Sequence, residues 1–199
     1  MKYNTNHLRN VVLLGHSGAG KTTFSECMLY EAGEIDRRGR VEDQNTISDF
    51  TDIEQEKQHS LITSLMHADW KDSKINIIDT PGLDDFSGEI ASSMKVAATA
   101  VILLNAQNGV EVGTELIWDY VDQFHAPTMF VVNQMDHEKA DYEMTVEQAR
   151  ARFGDKVLPV QYPMEQGPGF HRIVDALRMV MYVFSDEGGK PEKHPIPES

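Results

Sequence analysis

Asn10-Val-Val-Leu-Leu-Gly15-His-Ser-Gly-Ala-Gly20-Lys-Thr-Thr-Phe24 is the stretch from which the fold can be read. Val11 to Leu14 make a short apolar run of the length of a buried strand. Gly15 to Thr22 then match the phosphate-loop pattern G-x-x-x-x-G-K-[ST] at each fixed position. Glycine lets such a backbone wrap a polyphosphate with its N–H groups turned inward. The expected contact set is Gly15, His16, Ser17, Gly18, Ala19 and Gly20 of the loop, with Lys21, Thr22 and Thr23 opening the next helix. Lys21 has the length to reach the outer phosphates, and the Thr22 hydroxyl can ligate Mg²⁺. A helix starting here adds its positive end to the same anion. A glycine-rich turn with an unrelated lysine would leave the same letters. The motif lies between a predicted strand and a predicted helix, where phosphate binding requires it, and that favours the functional reading.

Outward from the loop, strand and helix patterns alternate. Residues 22–32 predict a helix with Phe24, Met28 and Leu29 on one face and Gly33 as its stop. Residues 34–59 are charged and aperiodic and predict a long mobile loop. Residues 60–70 predict a strand with Leu61, Thr63 and Leu65 alternating, paired through a turn at Lys71-Asp72-Ser73 with a strand over 74–79. Helices are expected over 89–97, 112–124 (with Leu116, Ile117 and Tyr120 on one face) and 142–153. Buried strands are expected over 98–105 and 128–133, and a sixth short strand over 157–161. The alternation predicts an α/β phosphate-loop fold, a mostly parallel sheet with helices on both faces. Past Pro163 the texture changes. Gln166-Gly-Pro-Gly169 reads as a loop, 170–184 are apolar and lean towards strand in their second half, and 185–199 read as a poorly ordered tail.

Two further motifs follow predicted strands. Asp79-Thr80-Pro81-Gly82 offers an acid for Mg²⁺, directly or through water, and a glycine N–H for a γ-phosphate. Asn133-Gln134-Met135-Asp136 offers a carboxylate that can accept both N1–H and the 2-amino group of guanine, a donor pair adenine lacks. In this order and spacing, Gly-His-Ser-Gly-Ala-Gly-Lys-Thr-Thr, Asp-Thr-Pro-Gly and Asn-Gln-Met-Asp resemble the nucleotide-binding domain of translational GTPases, elongation factor G and its elongation-factor-G-like paralogues above all. Arg9-Asn10-Val11, Lys74-Ile-Asn-Ile-Ile-Asp79 and Asn108-Gly-Val-Glu-Val112 extend the likeness over nearly the whole chain. The resemblance implies GTP and GDP binding with Mg²⁺, action on the ribosome with contact to the sarcin–ricin loop of large-subunit RNA, and a larger parent protein with downstream domains. It also implies a division at 165: a GTP-binding core over 1–165 lacking its last guanine loop, then the start of an inserted subdomain and a flexible tail over 166–199. No Ser-Ala-x guanine loop is found before Ser199, so the chain reads as a truncated piece that binds guanine nucleotides weakly by itself.

The resemblance also exposes departures. Ungapped alignment puts Ser60 where the family has the Mg²⁺-ligating Thr of its first switch loop, with Lys57, Gln58 and His59 in place of Arg-Gly-Ile. Serine keeps the hydroxyl and loses the methyl that stiffens threonine. After Asp-Thr-Pro-Gly the family places a His that positions the attacking water, and here the residue is Leu83. An isobutyl group neither donates nor accepts a hydrogen bond, and losing such a group costs roughly 10²–10⁴-fold in rate. Asp84 and Asp85 follow and do not fill the His position. Gly18 stands for an Asp that helps hold a monovalent cation, and Gln134 for a Lys whose stem covers the base. Together these changes predict a factor that binds GTP and turns it over slowly or not at all.

The chain's 199 residues, 40% of them hydrophobic, suffice for one α/β domain with a core, or a domain plus part of another. A formal net charge of −14 repels DNA, other nucleic acid and acidic membranes at long range, so any RNA contact has to be local. Cys27 is the one cysteine, which excludes an internal disulfide and fits a cytoplasmic setting with a buried structural thiol. The first residues lack the apolar centre of a signal peptide, and no run reaches membrane-spanning length. Two rival readings stay open on the sequence alone. One is a phosphate-loop ATP-dependent kinase or ligase, and the other an interaction module that has lost its nucleotide.

Overall fold

The apolar run before the phosphate loop becomes a strand, β1 (Leu8–Leu14), and the motif's lysine opens helix α1 (Lys21–Ala32). The structure is a computed structural model describing residues 3–48, 51–57, 60–82, 87–185 and 190–197. It divides into two compact units, one of residues 1–104 with 111–131, the other of residues 105–110 with 132–199.

The first unit holds, besides β1 and α1, helix α2 (Asp52–Lys57), strands β2 (Ser64–Trp70) and β3 (Ser73–Asp79) and helix α3 (Ser87–Met94). Strand β4 (Thr99–Asn105), helix α4 (Val112–Gln123) and strand β5 (Thr128–Asn133) follow, the ends of β4 and β5 being counted with the second unit. The five strands run in the order β2-β3-β1-β4-β5. β1 is parallel to β3 and to β4, and β2 returns antiparallel to β3 at the edge. A two-residue turn closes that hairpin, since Trp70 pairs with Ser73 and Lys71 takes φ 54°. One sheet face buries Leu13, Ile77, Val101 and Leu103 with Met66 and Ala68 against Leu29, Phe24 and Met28 of α1. The alternate residues Val12, Leu14, Ile102 and Leu104 are buried as well, so both faces of the central strands are covered. α3 packs on α4 and on β1. Gly33 ends α1 in the left-handed conformation at φ 77°, as its position predicts.

The second unit carries helix α5 (Tyr142–Phe153), with its bounds as the sequence predicts, capped by the Asp141 carboxylate on the Met144 N–H at 2.9 Å. It also carries a four-stranded sheet of β6 (Gln161–Pro163), β7 (Arg172–Asp175), β8 (Val180–Val183) and β9 (Glu192–His194), in that order. Its neighbouring strands pair antiparallel throughout.

Several expectations change. Residues 34–59 are not a featureless loop: α2 forms within them, and the buried Glu26 accepts N–H bonds from Gly39 (2.8 Å) and Ile47 (2.6 Å). β2 begins at Ser64, and its inward face is Ser64, Met66 and Ala68, leaving Leu65 73% exposed. Period-two patterning has two phases, and the face that meets α1 selects one. On α4 the buried stripe is Gly113, Thr114, Ile117 and Val121, and Leu116 points out. The sixth strand starts at Gln161 and pairs with β7, outside the parallel sheet. Residues 170–184 form a hairpin, and the segment read as a loose tail supplies β9, paired with β8. Cys27 is half-buried rather than enclosed.

Candidate functional site

In the first unit the phosphate loop is a strand-to-helix turn whose shape depends on glycine. Gly15 has φ 147°, and a Cβ there would lie 2.7 Å from the Leu103 carbonyl oxygen. Gly18 and Gly20 take φ 80° and 90°. Gly20 is also the N-cap of α1 and brings no side-chain cap, so the first turn of the helix presents backbone N–H groups, as anion binding requires. His16, Ser17 and Ala19 lie in the turn, and Thr23 is exposed on the first turn of α1. His16 Nε2 is 3.7 Å from Glu111 Oε1.

Lys21 is 7% exposed, and its ammonium donates to the Gly15 and His16 carbonyls at 2.8 and 3.1 Å. Burial lowers its pKa from 10.5 to about 8, while the Asp79 carboxylate works the other way. At the end of β3, Asp79 is 1% exposed and its Oδ2 accepts from Thr22 Oγ1 at 3.1 Å and Ser25 Oγ at 3.4 Å. Ser60 Oγ is 3.2 Å from Thr22 Oγ1. Thr22, Ser60 and Asp79, three residues far apart in the chain, thus converge their oxygens beside a buried ammonium. A hydroxyl and carboxylate oxygen set of this kind fits Mg²⁺, a hard cation. Gly82 completes the group: a Cβ on it would run into Lys21 Nζ and lie 3.0 Å from the Ser17 Cα and N. Only glycine lets the Asp-Thr-Pro-Gly turn approach the loop so closely.

Glu54, fully buried, accepts from the Thr51 N–H and hydroxyl and from the Leu61 and Ile62 N–H groups. Burial acts to raise its carboxyl pKa, but these hydrogen bonds outweigh it and hold it below the ordinary value.

In the second unit Asn133, Gln134 and Asp136 follow β5. Gln134 is left-handed at φ 60°, and its Oε1 accepts from Asn105 Nδ2 at 2.7 Å and from Gln107 Nε2 at 3.3 Å. Met135 is buried with Ala106 and Ala140, and Asp136 faces solvent. Sequence reasoning missed Ser25, Glu54, Asn105 and Gln107. Ser25 lies three residues after Thr22 on α1, one helical turn away, and Thr51-x-x-Glu54 is a capping-box pattern, so two of the four were detectable. The positions of Leu83, Gln58, His59, Asp84 and Asp85 lie outside the described residues.

Residues 6–191 match the family model described as the elongation factor Tu GTP-binding domain. The chain belongs to that family. Among relatives of this GTP-binding domain, elongation factor G of Mycoplasma pneumoniae is 35% identical over 195 residues, covering 96% of this chain and 28% of that protein. An elongation factor G-like protein of Thermotoga maritima is 33% identical over 193 residues, covering 97% of this chain and 27% of that one. A crystal structure of a Thermus thermophilus protein superposes with a TM-score of 0.88 at 32% identity, over 95% of this chain and 28% of the other. This GTP-binding domain thus spans about 28% of the length of such relatives. Among the described residues no helix is long and apolar enough to cross a membrane.

Proposed function

We propose that this chain binds GTP and GDP with Mg²⁺ as the nucleotide-binding part of an elongation-factor-G-like translation factor. The observation that carries this is the convergence of Thr22, Ser60 and Asp79 oxygens beside the buried Lys21. In this reading the loop from Gly15 to Thr23 and the Lys21 ammonium hold the phosphates. Thr22, Ser60 and Asp79 hold Mg²⁺, which neutralises phosphate charge when bound. The Gly82 N–H meets the γ-phosphate. The Asp136 carboxylate reads guanine, while Asn133 and Gln134 shape the base loop. Loss of the γ-phosphate removes the partner of Ser60 and Gly82, which biases their segments between two arrangements.

The partner is the ribosome, with the sarcin–ricin loop of large-subunit RNA as the contact inferred by resemblance, and the setting is cytoplasmic. Residues 1–165 are read as the nucleotide core and 166–199 as part of an inserted subdomain, with β6 (Gln161–Pro163) pairing to β7 across that division. The paired strand Glu192–His194 supports a folded insertion there. Membership of a GTP-binding family disfavours the kinase or ligase reading.

Hydrolysis is slow, because Leu83 cannot orient water. Two measurements on the full-length protein test the proposal. Competition titration is expected to favour GTP over ATP, and equal affinity would defeat the base assignment. Single-turnover hydrolysis on ribosomes is expected to rise about 10²–10⁴-fold in Leu83→His. A fast unmodified protein, with no gain in the variant, would defeat the slow-turnover claim while leaving nucleotide binding intact.

A further inference from the structure

Glu54 is one of the largest fully buried side chains of the first unit, and phosphate or base recognition gives it no task. A buried carboxylate has to be compensated by donors. Here the two oxygens divide the work. Oε2 accepts from the Thr51 N–H at 3.2 Å and the Thr51 hydroxyl at 2.7 Å. The Glu54 N–H returns a bond to Thr51 Oγ1 at 3.3 Å, which closes a reciprocal cap on α2. Oε1 serves a different stretch of chain: it accepts from the Leu61 N–H at 2.9 Å and the Ile62 N–H at 3.2 Å. Those two amides directly follow Ser60, whose hydroxyl is 3.2 Å from Thr22 Oγ1, itself bonded to Asp79. One carboxylate therefore ties the start of α2 to the peptide that carries Ser60.

We propose that Glu54 is a positioning residue that holds the Leu61–Ile62 amides so that the Ser60 hydroxyl reaches the Thr22–Asp79 oxygens. It thereby sets the Mg²⁺-dependent grip on a nucleoside triphosphate and has no part in gripping the diphosphate. The proposal rests on the guanine-nucleotide assignment above and adds a residue that the motifs do not contain. Both oxygens of Glu54 must accept. A glutamine of the same shape turns one acceptor into an NH₂ donor, which faces other donors whichever way the amide is flipped. Glu54→Gln therefore loses either the cap on α2 or the hold on Leu61 and Ile62, at nearly constant volume. Glu54→Asp keeps the charge and loses the reach to serve both sides.

The test is Mg²⁺ titration of fluorescent GTP and GDP analogues on the full-length protein, with urea unfolding as a check on folding. For Glu54→Gln the half-saturating Mg²⁺ for GTP is expected to rise about tenfold, the scale of a lost buried hydrogen bond, with GDP binding unchanged. Glu54→Asp is expected to show a smaller rise of the same kind, and it carries the test should Glu54→Gln fail to fold. In a Ser60→Ala background either change is expected to add nothing, because Glu54 acts through that hydroxyl. Equal weakening of GTP and GDP, or full additivity with Ser60→Ala, would make Glu54 a merely structural residue and overturn the proposal. Glu54→Ala removes both acceptors, and an unchanged GTP response in that variant would overturn the proposal too, leaving the nucleotide assignment in place. A wild-type protein that binds neither nucleotide overturns the assignment itself, and this proposal with it.

Discussion

At Lys21, burial and charge pull in opposite directions. Desolvation lowers its pKa from 10.5 to about 8 although the Asp79 carboxylate favours the ammonium. The linkage has a definite sign. Between pH 8 and 10.5 the folded chain holds fewer protons at this site than the unfolded one, so stability of the free protein rises with pH across that window. Polyphosphate binding needs the ammonium and runs the other way. GTP affinity is expected to be flat from pH 7 to about 8 and then to fall by up to about tenfold per unit, as titration at fixed Mg²⁺ would reveal. A level profile to pH 9.5 would mean that Lys21 stays charged without its ligand. The fixed motif letters identified Lys21, Thr22 and Asp79, the family resemblance added Ser60, and the structure brings these four together. The Thr51-x-x-Glu54 pattern announces a cap on α2, but not that the same carboxylate is buried and reaches a second stretch of chain. That second role shows only in the Leu61 and Ile62 donors on its other oxygen.

Among the elements, α1 is the one most fully determined by its own sequence. Lys21 opens it, Gly33 closes it, and Phe24, Met28 and Leu29 face the sheet as their spacing requires. Leu29 is 3% exposed in the cluster with Leu13, Ile77 and Leu103. Leu29→Ala is expected to destabilise the protein by about 2–5 kcal/mol in urea unfolding, because the β1, β3 and β4 backbones cannot close the void. A loss under about 1 kcal/mol would show that α1 shifts to fill it. β2 is the opposite case. Its period-two pattern was visible but its phase was not, since Leu61, Thr63 and Leu65 alternate as regularly as Ser64, Met66 and Ala68. The contact with α1 favours the second set, although it includes a serine. β6 was misplaced rather than missed: the strand expected over 157–161 lies at Gln161–Pro163, because three residues carry no periodic signal and their strand character comes from pairing with Arg172–Asp175.

For the whole molecule, a net charge of −14 makes contact with bare nucleic acid unfavourable. The isolated chain is expected not to retard structured RNA in gel-shift assays at about 50 to 200 mM salt. A shift that weakens steeply with salt would reveal a basic patch that the overall charge conceals. By itself the sequence determined the fold class, the order of the central elements, the phosphate-loop pattern and the Asn133–Asp136 turn after β5. Those depend on local rules: apolar period, glycine where φ is positive, and short side-chain patterns with fixed chemistry. Tertiary structure alone decided which phase of β2 faces inward, that β6 to β9 build a second, antiparallel sheet, and that Glu54 grips the peptide after Ser60. The physical reason is the same in each case. Strand phase, strand pairing and the compensation of a buried charge are settled by partners distant in the chain, whose energies no local stretch of sequence records.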